Sequence, residues 1–101
     1  MELTKVCRLE TMLQETIRQF TVKNQEILVI NIDGKLYGLD ARCSHAGAPL
    51  EEGVLEGEVL TCPWHGSQFR INDGKILRGP AEKDLRTYHL TVQEETIFIE
   101  L

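Results

Sequence analysis

An all-β fold is predicted for this 101-residue chain by three features: short runs suited to strands, turn signals that alternate with them, and no long stretch with a convincing helical period. In order, strands are expected at 3–9, 16–22, 26–32, 35–40, 58–61, 67–72, 86–93 and 96–101, with ends accurate to about 2–4 residues. Between the first two, Leu9 to Gln14 can form a short turn of helix, which Thr16, Ile17, Thr21 and Val22 end by favouring extended backbone. The run Ile27-Leu28-Val29-Ile30-Asn31-Ile32 meets Lys35-Leu36-Tyr37 through Asp33-Gly34, the clearest hairpin turn, because an Asp-Gly pair tolerates the positive φ angles such turns need. Glu56-Gly57 turns the chain before Val59-Leu60. Asp73-Gly74 repeats the hairpin device between Phe69-Arg70-Ile71-Asn72 and Lys75-Ile76-Leu77. In 86–93, Tyr88, Leu90 and Val92 alternate as the expected buried set, which turns His89 to solvent and leaves it without a functional role.

Composition sets the class. A chain of this length makes one domain, 1–101, with a core too modest to leave much stability in reserve. The net charge of −5 argues against nucleic acid as a partner. Only three cysteines occur, so no disulfide framework is available and a reducing compartment, the cytoplasm, is expected. Cys7 is expected to pack in a strand as a small apolar group. The N-terminus shows no basic region followed by a long apolar stretch, and the longest aliphatic run, Ile27 to Ile30, is far too short to span a bilayer, so no membrane anchor is expected.

The chemistry is concentrated in two short motifs. Cys43-Ser44-His45 is followed, after a spacer from Ala46 to Thr61, by Cys62-Pro63-Trp64-His65. Pro49, Gly47, Pro63 and Gly66 keep both segments out of helix, so each can present one soft sulfur and one imidazole nitrogen to a small inorganic group. A tetrahedral zinc ion would accept two thiolates and two imidazoles and act as a structural staple. A binuclear iron–sulfur cluster would divide the same four groups, thiolates on one iron and imidazoles on the other. Zinc fingers usually pair like ligands in one knuckle, whereas each motif here mixes one Cys with one His, which favours the binuclear centre and keeps a zinc-stabilised structural module as the alternative of another class. Either metal would help so small a domain to fold.

The segments Cys43-Ser44-His45-Ala46-Gly47-Ala48-Pro49-Leu50 and Cys62-Pro63-Trp64-His65-Gly66-Ser67-Gln68-Phe69 resemble the two cluster loops of Rieske-type [2Fe-2S] proteins. The likeness extends to Asp33 through Asp40 before the first loop and to Gly79-Pro80-Ala81 after the second, and so covers nearly the whole chain. It implies an antiparallel β sandwich with a small cluster-binding subdomain of two loops, at about 41–80. It also implies one [2Fe-2S] cluster, with Cys43 and Cys62 on the inner iron and His45 and His65 on the outer one. Ser67 matches a serine whose hydroxyl can donate to a cluster sulfide, Pro80 belongs to the flanking proline loop, and Trp64 is either a cluster shield or ordinary core. High-potential members carry an extra disulfide where Ala48 and Trp64 stand, and a tyrosine where Phe69 stands. Their absence implies a potential in the lower part of the roughly −150 to +300 mV open to such centres.

One-electron transfer follows, with no catalysis on this chain. The motif residues consume two of three cysteines and two of three histidines, which leaves no nucleophile–base set. The nearest family pattern is the ferredoxin component of bacterial ring-hydroxylating oxygenase systems, a monomer that takes electrons from a flavin-dependent reductase and docks transiently on a terminal oxygenase at the His45/His65 tip. The small subunit of a nitrite reductase and an orphan ferredoxin are the rival readings. Glu51, Glu52, Glu56 and Glu58 are expected to form a solvated acidic rim, with steering of a basic partner as the sharper alternative.

Overall fold

The computed structural model describes residues 2–44 and 47–101. Its elements are β1 (Leu3–Arg8), α1 (Leu9–Leu13), β2 (Ile17–Val22), β3 (Gln25–Ile32), β4 (Lys35–Asp40), a 3₁₀ turn (Leu50–Glu52), β5 (Val54–Glu56), β6 (Val59–Thr61), β7 (Gln68–Arg70), β8 (Ile76–Arg78), β9 (Thr87–Tyr88), β10 (Leu90–Gln93) and β11 (Thr96–Glu100). They form three antiparallel sheets, ordered β1-β11-β10, β2-β3-β4-β9 and β5-β6-β7-β8.

Strand β3 explains how these layers stack. Ile27, Leu28, Val29 and Ile30 are all fully buried, because successive side chains enter different cores on opposite faces of the sheet. Leu28 and Ile30 join Leu39, Leu50, Leu60, Phe69, Ile71 and Leu85 beneath the third sheet. Ile27 and Val29 join Met12, Ile97 and Ile99 beneath the first. A strand covered on both faces reads as a continuous apolar run rather than an alternating one. Each such side chain contributes about 1.5–3 kcal/mol when fully buried. Met12 reaches the second core from α1, and Asn31 Nδ2 donates to the Met12 carbonyl at 2.8 Å, satisfying one of the acceptors that a helix end leaves open.

The turns follow their chemistry in part. Asp33 (φ 51°) and Gly34 (φ 89°) both take the left-handed conformation expected of their hairpin. Lys23-Asn24 and Glu94-Glu95 do the same without glycine. At Asp73-Gly74 the expectation needs correction. Only Gly74 is left-handed (φ 73°), and the Gly74 N–H donates to the Arg70 carbonyl, so the link from β7 to β8 is a wider turn. Asp73 instead accepts from Lys75 N–H and from the Arg70 guanidinium, stabilising the turn through its side chain.

Two further expectations are corrected. Strand β5 was not anticipated; it lies within the spacer and pairs with β6. The expected strand 86–93 is two strands in two sheets: β9 pairs with β4, β10 pairs with β11, and His89 marks the crossing. Gly38 permits the crossing, since a Cβ there would lie 3.1 Å from the Tyr88 carbonyl oxygen and 3.2 Å from the Leu90 side chain. His89 is exposed as expected, but Val92 is 45% exposed because it sits near the hairpin end of an edge strand.

Candidate metal centre

Both segments that carry the candidate ligands are hairpins folded against the core. The first leaves β4 and is laddered by Leu50 N–H to the Ala41 carbonyl and Cys43 N–H to the Ala48 carbonyl, both 2.9 Å. Within it the Gly47 N–H donates back to the Cys43 carbonyl at 2.9 Å, and Gly47 is left-handed (φ 72°). The second segment is the connection from β6 to β7, closed by Cys62 N–H to the Ser67 carbonyl at 2.7 Å. Its tip places His65 (φ 67°) and Gly66 (φ 76°) together in the left-handed region. For histidine that conformation costs about 1–2 kcal/mol, a cost that persists where the surrounding structure holds it, as functional tips do.

Cys43 (4% exposed) and Cys62 (3%) both point into the first core, and both are free thiols. They approach each other closely enough to interact. Burial pushes the Cys62 thiol above its usual pKa, the Trp64 backbone N–H pulls it back by bonding the sulfur, and the neighbouring Cys43 thiol raises it further. Two buried thiols side by side, one already offered a backbone donor, suit a cationic centre that displaces both protons and accepts both thiolates. His65 is exposed at the opposite end of the second loop's turn. This burial of sulfur and exposure of imidazole fits a two-iron, two-sulfide group bound unequally at its two ends.

A third loop locks the two together. Ser67 is fully buried, and its Oγ accepts the Ala81 N–H at 3.0 Å. That bond holds the segment after Pro80 against the second loop. Ser44 Oγ donates to the Lys83 carbonyl at 2.5 Å, tying the same segment to the first loop. Pro80 itself is exposed, with a cis Gly79–Pro80 bond.

The structure thus brings Cys43, Cys62 and Ser67 together and places His65 at the surface. His45 lies outside the described residues. Among the described residues no three His, Cys, Asp or Glu side chains converge on one point. Trp64 is neither core nor fully covered: it is 49% exposed beside the tip. Phe69 is fully buried and carries no hydroxyl. Cys7 packs beside the second core, and burial raises its thiol pKa despite nearby Arg18. Glu51, Glu52, Glu56 and Glu58 are exposed as expected, but Glu51 also accepts the Gln19 N–H at 2.6 Å, which a reading as a plain solvated rim missed. Ser44 and Arg42 were missed as well, because Lys83 and Glu26, which they bond, lie 39 and 16 residues away and leave no local signal.

No helix among the described residues is long and apolar enough to cross a membrane. The family model described as Rieske [2Fe-2S] domain matches residues 2–89. The ferredoxin component of biphenyl 2,3-dioxygenase from Rhodococcus jostii (strain RHA1) is 32% identical over 101 residues, covering 100% of this chain and 94% of the relative. The 3-phenylpropionate/cinnamic acid dioxygenase ferredoxin subunit of Shigella boydii is 40% identical over 76 residues, covering 74% of this chain and 72% of the relative. A solved complex of reduced oxygenase and oxidized ferredoxin in carbazole 1,9a-dioxygenase contains a chain with 30% identity and a TM-score of 0.85, the match covering 96% of this chain and 91% of that one. These matches set aside the zinc module, and the chain belongs to the Rieske [2Fe-2S] domain family, whose cofactor is one [2Fe-2S] cluster.

Proposed function

We propose that this protein is a one-electron carrier, a Rieske ferredoxin that accepts electrons from a flavin-dependent reductase and delivers them to a terminal oxygenase. The observation that carries the reading is the pair of buried, mutually facing thiols of Cys43 and Cys62 on two hairpins, with His65 exposed at the tip of one. Cys43, Cys62, His45 and His65 are the proposed ligands, thiolates toward the core and imidazoles toward solvent. When bound, the cluster supplies one reversible electron, and mixed thiolate–imidazole ligation gives it a higher potential than four thiolates would.

The chain's own residues do the rest. The buried core around Cys43 and Cys62 keeps water from the sulfur side, the Trp64 N–H donates toward the Cys62 sulfur, and the Ser67 hydroxyl, whose oxygen accepts the Ala81 N–H, keeps a proton for the same purpose. The exposed His65 edge gives the electron a short exit to a docked partner, as the relatives' names, ferredoxin components of dioxygenase systems, support. We read 1–101 as one domain with its cluster-binding part at about 41–80, acting as a monomer. Cytoplasmic location is proposed from the three free thiols. With Ala48 and Trp64 in place of a disulfide and Phe69 in place of a tyrosine, the midpoint falls in the lower part of the family range.

The test is reconstitution. The reconstituted protein should show, when reduced anaerobically, the absorption and EPR spectra of a mixed-ligand [2Fe-2S] centre; its oxidised form should be reduced by a dioxygenase reductase and then reoxidised by the oxygenase. A colourless protein, or one inert to both partners, would overturn the reading, and a midpoint above about +200 mV would overturn the argument from missing groups.

A further inference from the structure

Arg42, immediately before Cys43, makes a connected set of polar contacts beside the first loop. Its guanidinium grips both carboxylate oxygens of Glu26 on β3, Nε to Oε1 at 2.9 Å and Nη2 to Oε2 at 3.1 Å, while Nη1 donates to the Gly47 carbonyl at 3.0 Å. Glu26 Oε2 also accepts Gln19 Nε2 at 2.7 Å from the neighbouring strand β2. The backbone N–H of that same Gln19 donates to Glu51 Oε2 at 2.6 Å, just beyond the loop. The first ligand loop is thereby tied to the central sheet at its start, its left-handed glycine and its end. We propose that Arg42, Glu26 and Gln19 form a brace that positions the first ligand loop on the β2–β3 sheet and so controls how readily that loop releases its metal.

The proposal rests on the reading of Cys43 and His45 as ligands. Arg42 and Glu26 are both about half exposed, so the pair adds little to the global stability of the fold. Its effect is local. A bidentate guanidinium has little freedom to slide, and the nitrogen left over holds the carbonyl of Gly47, whose own N–H bonds the Cys43 carbonyl. Opening the loop away from the sheet therefore requires breaking the Arg42 contacts. Arg42 also holds the Glu26 carboxyl below its ordinary pKa, chiefly through the hydrogen bond and secondarily through its charge, consistent with a pair that stays formed at neutral pH.

A second bidentate pair supplies the control. Arg70 and Asp73 make contacts of 3.1 and 2.6 Å at similar exposure, but within one turn and touching neither ligand loop. The experiment measures iron release from the reduced holoprotein into excess ferrous chelator, together with the EPR line shape. Arg42→Ala and Glu26→Ala should each speed release about fivefold and shift the line shape. The double variant should be less than multiplicatively faster, because both singles break the shared Arg42–Glu26 contact. Arg42→Lys, which keeps the charge but cannot hold Glu26 and Gly47 together, should fall between, and Arg70→Ala should match the parent. Should Arg42→Ala not accumulate as holoprotein, Glu26→Ala and Arg42→Lys carry the comparison. Parental release rates in both Arg42→Ala and Glu26→Ala, multiplicative rates in the double variant, or equal acceleration by Arg70→Ala would overturn the brace. Absence of iron–sulfur colour in the parent would overturn the ligand reading and the brace with it.

Discussion

Replacing Ser67 by alanine separates the structural role of one buried hydroxyl from the redox role proposed for it. Ser67 is fully buried, and among the described residues its side-chain hydroxyl is observed as acceptor from the Ala81 N–H at 3.0 Å. That bond leaves the hydroxyl proton unused, and we propose that it is donated to the group held by Cys43 and Cys62. Ser67→Ala leaves the buried Ala81 N–H without a partner, which costs about 1–3 kcal/mol of stability. It also removes a donor to an acceptor that becomes more negative on reduction. If about 1–2 kcal/mol of that bond's strength is specific to the reduced state, the midpoint falls by about 40–90 mV, at 59 mV per factor of ten for one electron. Protein-film voltammetry reads the midpoint and urea unfolding reads the stability. A midpoint unchanged within error while stability falls would show that the hydroxyl serves only the Ala81 contact, refuting its assignment to the redox site.

Other variants test the remaining links. Gly74→Ala places a Cβ about 2.2 Å from the Leu85 carbonyl oxygen at φ 73°, and should destabilise the protein by about 2–4 kcal/mol, visible as a lower urea midpoint. His65→Cys should lower the potential or lose the cluster, while His89→Ala, on the exposed strand crossing, should leave the absorption spectrum unchanged. Asp73 and Tyr88 are two of the described groups that shape the pH dependence. The Arg70 guanidinium, then the Lys75 N–H, hold the Asp73 carboxyl down at about 2, so its contribution is present above its ordinary value of 3.8 and disappears as pH falls toward 2. Burial, then the bond to Asp40, pushes the Tyr88 phenol up to about 12, so its contribution is present below 10 and disappears as pH rises through 12. Arg70→Ala should flatten the acid limb of chemical denaturation, and Tyr88→Phe should remove the late phenolate titration. Electron transfer to a basic partner should slow with ionic strength, given the net charge of −5 and the exposed Glu51, Glu52, Glu56 and Glu58; stopped-flow rates indifferent to salt would contradict steering.

The sequence alone determined the parts of this protein that depend on neighbours in the chain. Two mixed Cys/His motifs with their glycines and prolines specify hairpin loops and a soft-plus-imidazole donor set within a few residues each. Asp33-Gly34 specifies its turn because the φ requirement is intrinsic to those two residues. The aliphatic run 27–30 marked a strand, but only the stacking of three sheets revealed that it feeds two cores at once. Tertiary structure alone decided the break at His89, since nothing near that histidine shows that Gly38, half the chain away, clears the path from one sheet to the next. It likewise decided the exposure of Trp64, the contact of Ser44 with Lys83, and the Arg42–Glu26–Gln19 network. Ligand chemistry is carried by short spacings, whereas the contacts that hold ligands in place join residues brought together only when the strands pair.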